Sequence, residues 1–304
     1  MLIVIIGLIA GLYVLANLGE RNPTARILAL IGGATVAALA ILYGIVAASD
    51  PEAFQTTRTT SIAIVCGGAL GLVYLLPPLQ RALARVIPLR PGSPVDYLTV
   101  VIGFLLVAQL VGAKVPTATP PVTIGDMLAQ DIPLIILAFV GVGLFVRRSP
   151  REAAQRLGWM APRSQRWWLV AVGGIFVFLA VAAGIELLAK WLSPSSQQQV
   201  TNATNVLFSQ FNNPLGIVLL GVLPAFMEET LFRGALLPRL GLVVTTILFA
   251  ALHTQYAISF ATLEVFILGI GLGWLRIRSA STLPGMVTHA GYNIAVGVIG
   301  YVIR

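Results

Sequence analysis

The chain has 304 residues, of which 58% are hydrophobic and 10% charged, with a mean hydropathy of +0.93. Soluble globular chains are about 25% charged, so this composition cannot cover a water-facing surface, and a single soluble domain is excluded. The net charge is +8, but the arginines fall between apolar stretches and speak for membrane topology, with no nucleic-acid partner implied. The one cysteine, Cys66, excludes an intrachain disulfide and a cysteine-based zinc cluster.

A helix crosses the hydrocarbon core with about 20 apolar residues. Stretches of that kind predict an all-α, polytopic transmembrane bundle of about ten spans: Leu2–Leu18, Ile27–Ala48, Ser61–Leu79, Tyr97–Ala113, Met127–Val146, Trp167–Leu188, Pro214–Leu237, Leu242–Tyr256, Ala257–Leu275 and Pro284–Ile303. The first has no positive n-region and no small-residue cleavage site, so it reads as a retained helix and not a signal peptide. With ten alternating spans, one side of the membrane holds Arg21, Arg26, Arg81, Arg85, Arg90, six arginines between Arg147 and Arg166, Arg239, Arg276 and Arg278. The other side holds Arg58, Lys114, Lys190 and Arg304, and Arg233 lies inside a span. The positive-inside rule makes the first side cytoplasmic, so both termini are expected outside the cytoplasm of a multi-pass protein of the cell membrane.

The basic segment 147–166, with Trp159 and followed by Trp167 and Trp168, divides residues 1–146 from residues 167–304. It reads as a cytoplasmic loop with its tryptophans at the interface, or as an interfacial helix on anionic lipid. Residues 1–146 have few polar groups in their spans and receive no role. Ser193–Asn213, rich in Ser, Gln, Asn and Thr, reads as an external loop. Glu186 and Glu264 are expected at the outer ends of their spans. Gly269-Ile-Gly-Leu-Gly273 follows no strand, so it reads as close helix contact and not as a nucleotide loop.

A charge at the bilayer centre costs about 2.5–3.5 kcal/mol on insertion scales. The seventh span nevertheless contains Glu228, Glu229 and Arg233. Glu229 and Arg233 are four apart and can pair on one helix face. Glu228 is turned about 100° away and needs another partner. The chain's two histidines also fall in apolar helices, His253 four residues after Phe249, and His289 four residues before Asn293. At about 1.5 Å of rise per residue, Glu228, His253 and His289 come to similar depths, which predicts one shared cavity. Glu with His suits water activation: a buried carboxyl takes a proton from water and returns it to a leaving amine, while His and an amide donate to an oxyanion. The set equally suits a zinc site of Glu228, His253 and His289 whose bound water attacks. No HExxH pattern is present. Such groups also occur in proton-coupled transporters, although no inverted duplication is visible, and a non-catalytic membrane scaffold is a further alternative.

The motifs Glu228-Glu229-x-x-x-Arg233, Phe249-x-x-x-His253 and His289-x-x-x-Asn293, in this order on successive apolar helices, resemble those of the CAAX-protease and bacteriocin-processing (CPBP, or Abi) family. That family includes the Rce1-type prenyl-protein endopeptidases. The resemblance covers residues 214–299 and implies a protease core within 167–304. It implies an intramembrane endopeptidase acting on a membrane-associated peptide or protein, lipidated or not. Glu228 would be the general base with His253, and His289 and Asn293 the oxyanion-stabilising pair. Glu229, Arg233 and Phe249 would support them. Both metal-free and metal-dependent chemistry have been attributed to the family, so no cofactor or a divalent metal such as zinc is implied. The cytoplasmic arginines lead us to expect a site opening toward the cytoplasmic half of the bilayer.

Overall fold

The computed structural model describes residues 2–116 and 120–303; Arg304 of the topology count lies outside them. Thirteen α-helices make up the described fold, and among the described residues there is no β-strand, only an isolated bridge between Leu144 and Arg148. They are α1 Leu2–Gly19, α2 Pro23–Ser49, α3 Arg58–Val73, α4 Pro77–Leu83, α5 Pro94–Leu110, α6 Ile124–Val142 and α7 Pro150–Leu157. After these come α8 Trp167–Leu192, α9 Pro194–Leu207, α10 Pro214–Glu229, α11 Leu237–Ala251, α12 Phe260–Ser279 and α13 Leu283–Val302. A π-helical segment, Thr230–Leu236, joins α10 to α11.

Polar residues just before the apolar runs decide where many helices begin. Asn22, Thr57, Ser93 and Asn213 each accept a backbone N–H from the first turn of α2, α3, α5 and α10. Thr123 with Asp126, and Ser149 with Glu152, form reciprocal capping boxes on α6 and α7. Each such cap contributes about 0.5–2 kcal/mol. Proline at the first helical position of α2, α5, α7 and α10 removes a donor that would have no partner.

The all-α membrane bundle is as expected, but the count of ten spans is higher than helix length and composition show. Five helical stretches are long and apolar enough to cross, or six if α3 and α4, bent by 101°, count as one. The apolar stretches of α1 and α5 are shorter. One of the five is Pro214–Ala251, 38 residues in continuous helical bonding. As a straight rod it would measure roughly 57 Å, about twice the hydrocarbon thickness. It is not straight. Gly241 has φ 73° and ψ 175°, and the chain folds back there: the rings of Phe232 and Phe249 meet 5.2 Å apart, where a straight helix would hold them about 25 Å apart.

Two regions read as loops are structured. Ser193–Asn213 is mostly α9 followed by a short 3-10 turn, with Val200, Leu207 and Phe211 buried. The basic segment contains α7, whose Ala153 and Leu157 are buried against Val142 and Ala235. Trp159 is no interface anchor: its Nε1 donates to Thr230 Oγ1 at 3.2 Å beneath the π segment, whereas Trp168 remains half-exposed.

One hydrophobic cluster spans the N-terminal and C-terminal regions, with Ala37, Tyr74, Tyr97 and Val101 packed with Phe232, Leu240, Leu248 and Phe249. Polar links join the same regions at one end of the bundle. Arg239 meets Asp96 at 2.6 Å, Asp96 meets Arg90 at 3.1 Å, Arg90 meets Glu20 at 3.2 Å, and Glu20 meets Arg147 at 3.6 Å. The Arg239–Asp96 contact is buried and dominates, because the Arg90 side chain is 51% exposed and exposed ion pairs contribute about 0–1 kcal/mol. Nearby, Arg156 donates to the Gly234 carbonyl at 2.9 Å. Burial pushes its guanidinium down to about 10, so it stays charged at neutral pH.

The Gly241 conformation lies where a side chain is strained by about 1–3 kcal/mol. Gly241→Ala should therefore lower the thermal midpoint of the detergent-solubilised protein. Gly184→Ala, on α8 with no atom within 4 Å of its added methyl, should not. Equal midpoints for the two variants would show that the fold-back does not need glycine.

Candidate active site

The π segment begins immediately after the two glutamates. Its wider turn is a feature often found at functional sites, and Thr230 Oγ1 caps it back onto the Phe226 carbonyl at 2.7 Å. Glu229 and Arg233 form the expected pair, Nη1 to Oε1 at 2.8 Å, with both side chains almost wholly buried. Arg233 Nη2 donates to the Gly269 carbonyl at 3.1 Å, and the guanidinium lies 4.1 Å from the Phe249 ring centroid. A methyl group at Gly269 would come within 2.8 Å of Thr246 and 3.1 Å of Phe249. The absence of a side chain there is what lets α12 approach the arginine.

Glu229 Oε1 accepts a second hydrogen bond, from His289 Nδ1 at 3.2 Å. A carboxylate paired with Arg233 acts here as an acceptor, so Nδ1 carries the proton. His289 Nε2 then faces Glu228 Oε2 at 3.9 Å, beyond direct hydrogen-bond range. The two adjacent glutamates thus have different surroundings. Glu229 is neutralised behind the site, whereas Glu228 has no cation of its own and lines the cleft.

His253 ends α11. Its Nδ1 lies 2.9 Å from the Phe249 carbonyl, which can only accept, so neutral His253 has its lone pair on Nε2. Its ring packs against Phe249 at 5.0 Å and stacks on Tyr256 at 6.0 Å. Asn293 follows His289 by one turn of α13. Glu228, His253, His289 and Asn293 all line one cleft of about 1420 Å³. Phe249 touches both histidine rings, the second at 6.1 Å.

Two features of the cleft depart from the sequence reading. Asp131, in the middle of α6, is buried and lines the cleft, and its Oδ2 has no hydrogen-bond partner. Its signal was present as the lone acid within the fifth apolar stretch. Glu264 is no simple boundary residue: it accepts from Tyr292 Oη at 2.6 Å and lines the cleft. Glu186 lines it as well and pairs with Lys190 at 2.7 Å.

Among the described residues no three His, Cys, Asp or Glu side chains are placed to hold a metal ion, while the Glu229 carboxylate on His289 Nδ1 leaves Nε2 of that ring facing the cleft. The cleft lining also includes residues 55–57, 112–114 and 254–256 and several residues of 197–212.

The fold and cluster define a multi-pass membrane protein with two carboxylates, two histidines and an arginine gathered inside the bundle. A family model described as type II CAAX prenyl endopeptidase, Rce1-like, matches residues 210–295. An uncharacterized 24.3 kDa protein of Escherichia coli is 31% identical over 147 residues, 43% of this chain and 66% of that protein. The uncharacterized protein YpbD of Bacillus subtilis (strain 168) is 31% identical over 146 residues, 46% of this chain and 73% of that protein. No solved structure matches. The chain belongs to the Rce1-like CAAX endopeptidase (CPBP) family.

The unequal surroundings of the two glutamates predict unequal effects on stability. Glu229→Gln leaves Arg233 buried without its counter-charge and should cost about 3–5 kcal/mol. Glu228→Gln removes no ion pair with arginine and should leave the unfolding midpoint in detergent within error. A comparable loss in both would contradict this division.

Proposed function

We propose that the chain is an intramembrane endopeptidase that hydrolyses a peptide bond of a membrane-associated substrate with water activated by Glu228 and His253. The family supports a peptidase. The observation that carries the reading is Glu228, buried without a cation of its own in the cleft, with His253, His289 and Asn293 lining the same cleft.

Water binds between Glu228 and His253 Nε2, which accepts a hydrogen bond because Nδ1 is committed to the Phe249 carbonyl. Glu228 takes a proton as the water oxygen bonds to the scissile carbonyl carbon. The carbonyl oxygen becomes an oxyanion, and the Asn293 amide and His289 Nε2–H donate to it. His289 Nδ1 donates to Glu229, so Nε2 donates to the oxyanion only from a ring that carries both protons. Glu228 then returns its proton to the nitrogen as the C–N bond breaks. Donors fixed before reaction need no reorganisation as charge develops, and each contributes about 10²–10³ in rate.

Glu229 and Arg233 act as positioning residues: they hold His289 in one orientation and touch neither water nor substrate. A prenylated CAAX tail is one candidate substrate and an unprenylated peptide undergoing maturation is another. Membrane topology follows the arginines, with both termini on the non-cytoplasmic side.

With purified protein and a membrane-peptide library as substrate, Glu228→Gln should lower turnover by about 10²–10⁴, the span of general acid–base effects. Undiminished turnover would overturn the assignment. Asn293→Ala should reduce kcat by about 10²–10³ with little change in KM. On the Glu228–His253 scheme, activity should survive a strong chelator. Joint loss of activity and stoichiometric zinc would replace the Glu228–His253 scheme with a metal–water one.

A further inference from the structure

The arginines that the sequence places between spans lie at one end of the folded bundle. The chain Arg239–Asp96–Arg90–Glu20–Arg147 joins four connections there. Arg163 N donates to the Ser279 carbonyl at 3.2 Å, and Thr282 N to the Gly158 carbonyl at 2.9 Å, which brings the basic segment and the α12–α13 turn to the same end. Of the 19 lysines and arginines, fourteen belong to these connections, and among the described residues only Arg58, Lys114 and Lys190 belong to those at the other end. By the positive-inside rule the arginine end is cytoplasmic.

The cleft opens at the other end. Thr57 donates to the Gly112 carbonyl at 3.2 Å, and Val122 N to the Leu207 carbonyl at 2.8 Å, drawing its rim segments together. His253 lies at the rim-side terminus of α11, directly before the Thr254–Tyr256 turn. Toward the arginines the site is closed by the buried Arg233–Glu229 pair, by Phe232, and by Trp159 bonded to Thr230. The rim's charges offset one another: Glu186 pairs with Lys190, and the Glu264 carboxylate, which accepts from Tyr292, is opposed in sign by Lys114. What remains is chiefly neutral amide and hydroxyl groups, among them Gln109, Gln130, Gln197, Thr201 and Gln255, beside apolar Phe178 and Leu220. Such a surface binds peptide backbone and small polar side chains without selecting for charge.

We propose that the cleft receives its substrate from the face opposite the cytoplasm, and that this substrate is an uncharged, polar segment of a membrane-anchored peptide exposed on that face. The orientation stands independently; the substrate class rests on the endopeptidase reading. A lipidated tail displayed on the cytoplasmic leaflet would meet the closed, arginine-bearing end.

Two measurements test this. In a Cys66→Ser background, Thr201→Cys at the rim and Ser164→Cys at the arginine end are labelled with a membrane-impermeant maleimide. Thr201→Cys should label in intact cells and lose that labelling in sealed inverted vesicles. Ser164→Cys should do the opposite, and the reverse pattern or labelling of both sites from both sides would overturn the orientation. Next, a single-span reporter carrying a Gln/Ser/Thr-rich segment beside its anchor is coexpressed with the full chain, with the segment on either face. Cleavage dependent on Glu228 is expected only when the segment lies opposite the cytoplasm, and cleavage of the cytoplasmic version overturns the proposal. Detergent micelles abolish sidedness, so absence of cleavage there defeats the endopeptidase reading itself. Cleavage in micelles with the wrong sidedness in membranes defeats only the present proposal.

Discussion

Arg233 is a cation inside a membrane bundle, and its neutralisation organises everything around it. The guanidinium is bonded to Glu229, donates to the Gly269 carbonyl and lies over the Phe249 ring. One side chain therefore gathers the end of α10, the middle of α12 and the last turns of α11. Glu229 extends the set to α13 through His289. A buried ion pair is weak evidence for net stability, because desolvation offsets much of its Coulomb energy. Removing either partner, however, strands the other, so the pair strongly disfavours alternative arrangements of these four helices. Of the catalytic candidates, His289 and Asn293 ride on one of these helices and His253 directly follows another.

The same pair explains how adjacent glutamates come to differ. Glu229 points inward to Arg233, while Glu228, rotated around the helix, points to the cleft and to His289. A site that needs a carboxyl able to take up and release a proton cannot place arginine directly on it. Here the charge is neutralised one residue away, and its influence passes to the site through the orientation of His289.

The N-terminal helices hold the site as well as flank it. Asp96 on α5 receives Arg239 just before the Gly241 fold-back, and Tyr74, Tyr97 and Val101 share a hydrophobic cluster with Phe232 and Phe249. Asp131 on α6 and the segment 112–116 form part of the cleft lining. The region to which no role could be given from sequence thus supplies a wall of the cleft and a brace for the turn that opposes Phe249 to Phe232.

Much was legible before folding because the membrane penalises polar residues so heavily. Hydropathy alone dictates an all-α bundle, loop arginines set an expectation for its orientation, and two histidines, two glutamates and an arginine within apolar stretches stand out as costs that need a reason. Spacing of four sufficed to pair Glu229 with Arg233. The capped, polar helix α9 and the inward-turned Trp159 were missed, since local composition reports exposure only on average and cannot say which neighbour covers a residue. Asp131 was missed because one acid in an apolar stretch is too weak a signal without its surroundings. Sequence by itself determined which residues could not rest in lipid and so had to meet. Only the tertiary structure decided how they meet: a glycine reversal at Gly241, Glu229 shared between Arg233 and His289, and one cleft lined by both halves of the chain. These depend on distances between helices far apart in the chain, which no local pattern encodes.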